Sequence, residues 1–344
     1  MQITIIGGQG ELGLEITKAC KKAGHIITTT SRKPQENQIQ FDWNNKQSYQ
    51  NLHSSKIIIN AAPVKDLNNY FEFIDTLLSN NQKFIETSAR PDLVVALIDF
   101  QKNFKKNTSG LIVHAVGIFP GISNFLLKEA LEQKPNAKSV NFNVKYSIFS
   151  KAGKDMCQLM AESLARPSVF VENGNLKFDK PVGPIKTFEK INNKGNSSKN
   201  TTWKGFLADL PDTRYFTKQL PEAKFIGSYF SPVSDFLFPF LNLFNFAPKN
   251  PFFINIYAKC FYFIRGIIFK NKTSKMLITI VLDDVFTKQI EVQDALYTAG
   301  AGVAAILPFL ENQKGILRAD EFISSEAFFN TINQTEPNIL SRNF

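Results

Sequence analysis

The chain has 344 residues, of which 43% are hydrophobic and 20% are charged, a balance that excludes a largely disordered chain. It contains 33 Phe but only 3 Cys, which excludes collagen, coiled coils and small disulfide-stabilised scaffolds. The net charge is +10, and residues 1–150 carry +5 of it, from 17 basic and 12 acidic side chains. This even division gives no reason to expect a nucleic-acid partner.

The chain begins with a strand pattern followed by a glycine cluster. Gln2–Ile6 is a β-branched run, and an apolar helical pattern follows the cluster and ends at Gly24. Glycines spaced G-x-G-x-x-G between a strand and a helix are the fingerprint of a dinucleotide-binding turn, where the backbone approaches a pyrophosphate. The N–H groups of the helix N-terminus would bind the phosphates. We therefore predict cofactor contacts for Gly7, Gly8, Gln9, Gly10, Glu11, Leu12 and Gly13.

The choice of cofactor is predicted from the end of the second strand, Ile26–Thr30. NAD sites usually place a carboxylate there, whereas this chain has Ser31, Arg32 and Lys33. A hydroxyl and two cations suit a 2′-phosphate, so NADP(H) is favoured over NAD(H). The alternative is that Arg32 and Lys33 are solvated loop charges. Asp42 is also assigned to the cofactor site.

The next elements continue the alternation of strands and helices. Strands are predicted at residues 56–60, 83–87 and 111–116, and helices at 67–78 and 93–104. Such alternation predicts βαβ units and a parallel sheet. The glycines also fit the short-chain dehydrogenase pattern, but none of the eight Tyr has Lys four residues later. The catalytic helix of that class is therefore excluded.

Two side chains at predicted strand ends are candidates for catalysis. His114 titrates in a range suited to acid–base chemistry, and the alternative is a hydrogen-bonded structural histidine. Ser88 is the second candidate, and its alternative is a cap for the following helix. The three His and three Cys are far apart and lack zinc-site spacing, so no metal site is predicted.

Residues 236–282 combine basic charge with aromatic side chains. They contain ten Phe and six Lys or Arg, and no Asp or Glu. A helix is predicted over residues 252–269, and its apolar run is too interrupted to span a bilayer. Three alternatives remain open for this segment: a buried helix, a homodimer interface, or an amphipathic helix lying in a membrane interface.

Several segments resemble saccharopine dehydrogenase-like proteins. Asn60, Ala61, Ala62 and Pro63 resemble the strand end that runs beneath the nicotinamide in that family. The other matching segments are residues 84–88, 115–124, 152–167, 172–174, 297–310 and 315–317. Within them the resemblance implies that substrate is bound by Thr87, Ser88, Gly117, Phe119, Pro120 and Gly121.

The resemblance implies an α/β protein: a Rossmann doubly wound parallel sheet with an inserted second α/β (α+β) domain. The expected domains are a nucleotide-binding domain at 1–125, a substrate or dimerisation domain at 126–293, and a C-terminal helix and tail at 294–344 that pack back on the first domain. The family carries Asp where this chain has Phe119 and Glu86. The loss of the carboxylate at Phe119 weakens the case for a substrate that bears an amino group.

The resemblance further implies NADP(H)-dependent hydride transfer to or from an unidentified small molecule. A non-catalytic NAD(P)-binding protein and a membrane-peripheral reductase of a lipid or acyl substrate are the alternatives. Because residues 1–6 lack a basic segment and a long apolar one, no signal peptide is predicted, and a cytoplasmic, or membrane-peripheral, location is expected.

Overall fold

The computed structural model describes residues 1–104, 108–146, 154–191, 201–232, 238–268 and 275–343. Its contacts divide the chain into two compact units, Met1–Phe125 with Leu296–Pro337, and Leu126–Ala295 with Asn338–Phe344. Of the Phe-rich segment at 236–282, residues 236–237 and 269–274 lie outside the described residues.

The strands of the described ranges are, in chain order, β1 (Gln2–Ile6), β2 (Ile26–Ser31), β3 (Gln38–Gln40), β4 (Ile57–Asn60), β5 (Lys83–Glu86), β6 (Leu111–His114), β7 (Ser139–Tyr146), β8 (Ser168–Glu172), β9 (Asn175–Asp179), β10 (Ile185–Glu189), β11 (Thr202–Leu207), β12 (Phe225–Ser231), β13 (Met276–Leu282), β14 (Phe286–Val292), β15 (Gly315–Arg318) and β16 (Leu340–Asn343). The α-helices are α1 (Glu11–Lys22), α2 (Leu67–Ser79), α3 (Pro91–Asn103), α4 (Ile122–Gln133), α5 (Lys154–Ala165), α6 (Asp212–Gln219), α7 (Phe238–Asn242), α8 (Pro251–Ile268), α9 (Ala295–Ile306), α10 (Ala319–Phe322) and α11 (Ser325–Thr335).

The first unit is built on a parallel sheet of seven strands in the order β15-β6-β5-β4-β1-β2-β3. Parallel strands carry helices on both faces, and the strand interiors are accordingly apolar, with Ile3, Ile5 and Ile58 fully buried. The order from β3 to β6 is that of the Rossmann fold. The predicted doubly wound parallel sheet is therefore confirmed, and a returning C-terminal segment adds β15 beside β6.

The second unit contains a mixed sheet in the order β10-β11-β12-β7-β13-β14-β16, with β8 and β9 attached to β12. Strands β7 and β12 are parallel, and the other pairs are antiparallel. The last strand corrects one expectation. Leu340–Asn343 pairs with β14 of this sheet, so the end of the tail belongs to the second unit and not to the first.

Candidate nucleotide-binding site

The carboxyl ends of parallel strands meet at one edge of the first sheet. The register places Ile6 beside Asn60, and Asn60 beside Glu86. The residues that follow these strands therefore gather at this edge. They include most of the predicted site residues: the loop at 7–13, the turn at 31–33, the strand end at 60–63, residues 87–88 and the turn at 117–121.

The glycine loop between β1 and α1 is held by backbone contacts. Gly7 has φ of +76°, and its carbonyl oxygen accepts from the N–H of Gly10 at 2.9 Å. A Cβ on Gly13 would lie 2.1 Å from the same oxygen, so only glycine lets α1 start this close to the strand. A Cβ on Gly10 would meet only that oxygen, at 3.3 Å, and Gly10 is exposed. Gly10 is thus the point where a ligand can approach the backbone.

The N-terminus of α1 begins at this loop. Gly10 occupies the N-cap position and has no side chain with which to cap the first turn. Helix α9 packs against α1 at backbone distance, because a Cβ on Gly300 would lie 2.7 Å from the Glu15 carbonyl oxygen. Close backbone packing therefore holds α1 and the glycine loop in place.

The predicted phosphate contacts follow β2, the strand next to β1. The Ser31 hydroxyl donates to the Lys33 carbonyl at 3.0 Å and accepts from the Lys33 N–H at 3.2 Å, which orders the turn. Arg32 and Lys33 are exposed. Asp42 follows the adjacent β3, and its carboxylate accepts from the Asn44 N–H at 3.0 Å, so it also closes a turn.

The strand end at Asn60 is joined to the glycine loop. Asn60 is fully buried, and its Oδ1 accepts from the Ala62 N–H at 3.1 Å. Ala62 lies against Gly7, where a Cβ would approach the Ala62 N atom to 2.9 Å. The Asn60 side chain therefore fixes the backbone of residues 61–62, which faces the glycine loop. Pro63 continues this segment.

The Asn60 amide in turn depends on Glu86, which the sequence reasoning treated only as a departure from a family pattern. The Asn60 Nδ2 donates to both carboxyl oxygens of Glu86, at 2.9 and 3.1 Å, and the Ser88 N–H donates to one of them at 2.8 Å. Burial raises the pKa of Glu86 to about 7, although these hydrogen bonds favour its charged form. The sequence signal that points to Glu86 is a carboxylate at the end of an apolar strand.

The hydroxyl groups of the two residues after Glu86 form hydrogen bonds with the backbone. The Thr87 hydroxyl donates to the Asn60 carbonyl at 2.7 Å. The Ser88 Oγ accepts from the Arg90 N–H at 3.2 Å, immediately before α3. Ser88 thus closes a turn before α3 but does not cap the helix, since the N-cap residue is Arg90 and no side chain caps it.

His114 ends β6 and is buried. Burial, followed by the positive charge of Arg318 on the neighbouring β15, lowers the pKa of His114 to about 3. Arg318 is itself buried and donates to both carboxylate oxygens of Asp320, at 3.1 and 2.9 Å. At neutral pH the imidazole is therefore uncharged.

The predicted substrate turn follows β6. Gly121 has φ of +141°, and a Cβ there would lie 2.3 Å from the Gly117 carbonyl oxygen, so this turn requires glycine at 121. The same oxygen accepts from the Ile122 N–H at 3.1 Å, where α4 begins. Between the glycines, the Phe119–Pro120 bond is cis, and Phe119 is half-buried.

Two other features of the described residues do not bear on this edge. A cavity lies beside the C-terminal end of α2, lined in part by Asp75, Leu78 and Ser79, at the side where β5 and β6 begin. Within the described ranges, no group of three His, Cys, Asp or Glu side chains could hold a metal ion.

The comparisons with known proteins find similarity in structure. No protein-family model matches the chain, and no curated protein matches it significantly. The chain is similar to apo saccharopine dehydrogenase (L-Glu forming) from Saccharomyces cerevisiae, with a TM-score of 0.64, 10% identity and 99% of each chain covered. A meso-DAPDH variant from Clostridium tetani has a TM-score of 0.47 at 10% identity, covering 98% of this chain and 97% of that one. The first similarity confirms the saccharopine dehydrogenase-like resemblance at the level of fold.

Proposed function

We propose that this chain, which has the fold of saccharopine dehydrogenase, is an NADP(H)-dependent oxidoreductase acting on a small molecule. The observation that carries the proposal is the glycine loop, where exposed Gly10 opens the N-terminus of α1 toward a ligand. Such a loop after the first strand of a Rossmann sheet binds a pyrophosphate in dinucleotide enzymes. The exposed Arg32 and Lys33 at the next strand end would bind a 2′-phosphate.

The residues present suit that cofactor. When bound, a nicotinamide dinucleotide supplies hydride transfer, and the protein supplies binding and orientation. Asn60 and Ala62 would present a fixed backbone beside the glycine loop, and Glu86 would hold that backbone through Asn60. Glu86 is therefore proposed as a positioning residue.

The surroundings of His114 and Ser88 limit the catalytic roles that each can play. Burial, followed by the charge of Arg318, keeps the pKa of His114 far below neutrality, so its imidazole is neutral and does not carry the extra proton of an imidazolium. The Ser88 hydroxyl accepts a backbone hydrogen bond and retains its own proton to donate. We propose Ser88 as the better donor to a substrate, together with a substrate position near Gly117 and Phe119.

Cofactor titration tests the proposal. We expect NADPH to quench the protein's fluorescence and to bind more tightly than NADH. Arg32→Ala should reduce NADPH affinity tenfold or more and leave NADH affinity unchanged, since each charge-assisted contact is worth about 1.5–3 kcal/mol. Lys56→Ala is the matched control, because Lys56 is an exposed cation at the amino end of β4. Failure of both cofactors to bind would overturn the proposal, and an unchanged preference in Arg32→Ala would overturn its NADP(H) part.

The alternatives remain predictions beside this proposal. Cofactor binding without turnover of any carbonyl, imine or alkene would favour the non-catalytic protein. Membrane contact by residues 236–282 is favoured by exposed apolar side chains on α8, such as Phe252 and Phe263. Homodimer formation and the cytoplasmic location stay predictions.

A further inference from the structure

Helix α8 has apolar side chains on two faces, and one face packs within its own unit. Tyr257 and Phe261 contact the ring of Phe244, with ring centroids 5.2 and 6.0 Å apart, and Ala258 is buried. Helix α5 also packs against α8. These contacts account for the buried face in the usual way.

The other face of α8 is apolar and lies in water. Phe252, Ile256, Phe263 and Ile267 are 69, 38, 68 and 67% exposed. Their spacing of four, seven and four residues aligns them in one stripe along the helix, which we call the α8 stripe. Proteins rarely expose contiguous apolar patches to water. Such a stripe therefore marks a docking surface.

The charge within the segment that carries the α8 stripe is of one sign. Residues 236–282 contain no Asp or Glu, and Lys259 is exposed at the border of the stripe, one helical turn from Phe263. Lys249 is exposed just before the helix begins. A lysine at the edge of an apolar stripe can lay its aliphatic stem along the stripe and extend its ammonium group outward.

The segment before α8 adds more exposed apolar side chains. Phe240, Leu243 and Phe246 are 60, 63 and 88% exposed. They are spaced three residues apart, over α7 and the 3-10 turn that follows it. Lys249 separates them from the α8 stripe along the chain. The segment before α8 and α8 itself thus both expose large apolar side chains. Lys249 lies between them along the chain, and neither carries an acidic side chain.

We propose that the α8 stripe is a docking surface for the headgroup region of an anionic lipid bilayer. Aromatic and aliphatic side chains would enter the interface while Lys249 and Lys259 contact lipid phosphates, as in interfacial helices generally. A second copy of this chain fits less well. A two-fold dimer through the same stripe would bring Lys259 close to its own copy with no carboxylate within residues 236–282 to pair with it.

The mode of contact is peripheral. Among the helices of the described residues, none is long and apolar enough to cross a bilayer. Insertion of the α8 stripe to the depth of the headgroups requires neither a longer helix nor loss of the packed face, since Tyr257 and Phe261 stay on Phe244.

Vesicle flotation of the full chain, without nucleotide, tests this inference separately from cofactor binding. We expect the wild type to float with phosphatidylcholine vesicles containing phosphatidylglycerol, at low salt, and to stay down with phosphatidylcholine alone. The double variant Phe252→Ser/Phe263→Ser should lose at least tenfold in partitioning. Phe178→Ser is the matched control, because Phe178 is 65% exposed on β9 and lies outside the segment.

Charge reversal provides the second arm. Lys249→Glu/Lys259→Glu should also lose at least tenfold in partitioning, whereas Lys177→Glu/Lys180→Glu, at exposed positions on and beside β9, should behave as wild type. All substituted side chains are exposed, and thermal melts of each variant verify folding. The inference is overturned if the wild type does not float, floats equally with neutral vesicles, or floats undiminished in either double variant. It is also overturned, in favour of a second copy, if sedimentation shows a wild-type dimer that Phe252→Ser/Phe263→Ser dissociates.

Discussion

Glu86→Gln should change how the stability of the protein depends on pH. The carboxyl is 1% exposed and accepts hydrogen bonds from Asn60 and from the Ser88 N–H. Glutamine keeps the shape of the side chain but does not titrate. Any cost of the substitution that does not depend on pH shifts the whole curve of unfolding free energy against pH by the same amount. The difference in shape between the wild-type and Glu86→Gln curves therefore reports the protonation of Glu86.

The magnitude follows from the pKa of Glu86, which burial raises from 4.5 to about 7. Between these pH values the folded chain keeps a proton that the unfolded chain has released. The free energy of unfolding therefore falls as pH rises through this window, and outside the window Glu86 adds no further change with pH. Since a tenfold difference in proton affinity is worth about 1.4 kcal/mol, the full loss is about 3 kcal/mol.

Urea denaturation of both proteins at several pH values measures the effect. We expect the free energy of unfolding of the wild type, relative to Glu86→Gln, to fall by about 3 kcal/mol between pH 4.5 and 7. Glu36→Gln is the control, because Glu36 is exposed and its substitution should leave the pH dependence unchanged. Parallel curves for wild type and Glu86→Gln would refute the reasoning, as would a relative stability that rises with pH.

Three further outcomes follow from the same unit. Gly13→Ala should lower the free energy of unfolding by about 1–3 kcal/mol in urea melts, because its Cβ would lie 2.1 Å from a backbone oxygen. Gly10→Ala should cost less than about 1 kcal/mol yet abolish NADPH binding in the fluorescence titration, because its methyl group would occupy the ligand side of the loop; retained binding would contradict this role. Asp320→Ala should destabilise by about 3–5 kcal/mol, since it leaves Arg318 buried without its main carboxylate, whereas Glu72→Gln, which breaks an exposed ion pair, should cost less than about 1 kcal/mol in the same assay.

Much of the Rossmann unit could be predicted because its signals are local. The helix predicted at 67–78 runs from Leu67 to Ser79, and the strand predicted at 83–87 from Lys83 to Glu86. The short β3 was missed, since Gln38–Gln40 has three residues and only one apolar side chain. The family resemblance implies that the C-terminal segment returns to the first domain, but β15 itself was not predicted, because four residues at 315–318 have no periodicity that would place them beside β6.

The candidate site divides in the same way. The spacing of Gly8, Gly10 and Gly13 specifies the glycine loop, because the turn, the helix start and the close packing are all set within six residues. The bond from Asn60 to Glu86 joins residues 26 positions apart, and no local pattern contains it.

The sequence by itself determined the Rossmann unit, its glycine loop and the acid-free, Phe-rich segment, because strand and helix periodicity and charge are properties of neighbouring residues. Only the tertiary structure decided which groups are taken out of water. It buries Glu86 and His114, moving their pKa values in opposite directions, and leaves Phe252 and Phe263 exposed on α8. Burial depends on what residues distant in the chain bring to each face, and periodicity along one helix cannot show which of its two apolar faces receives a partner.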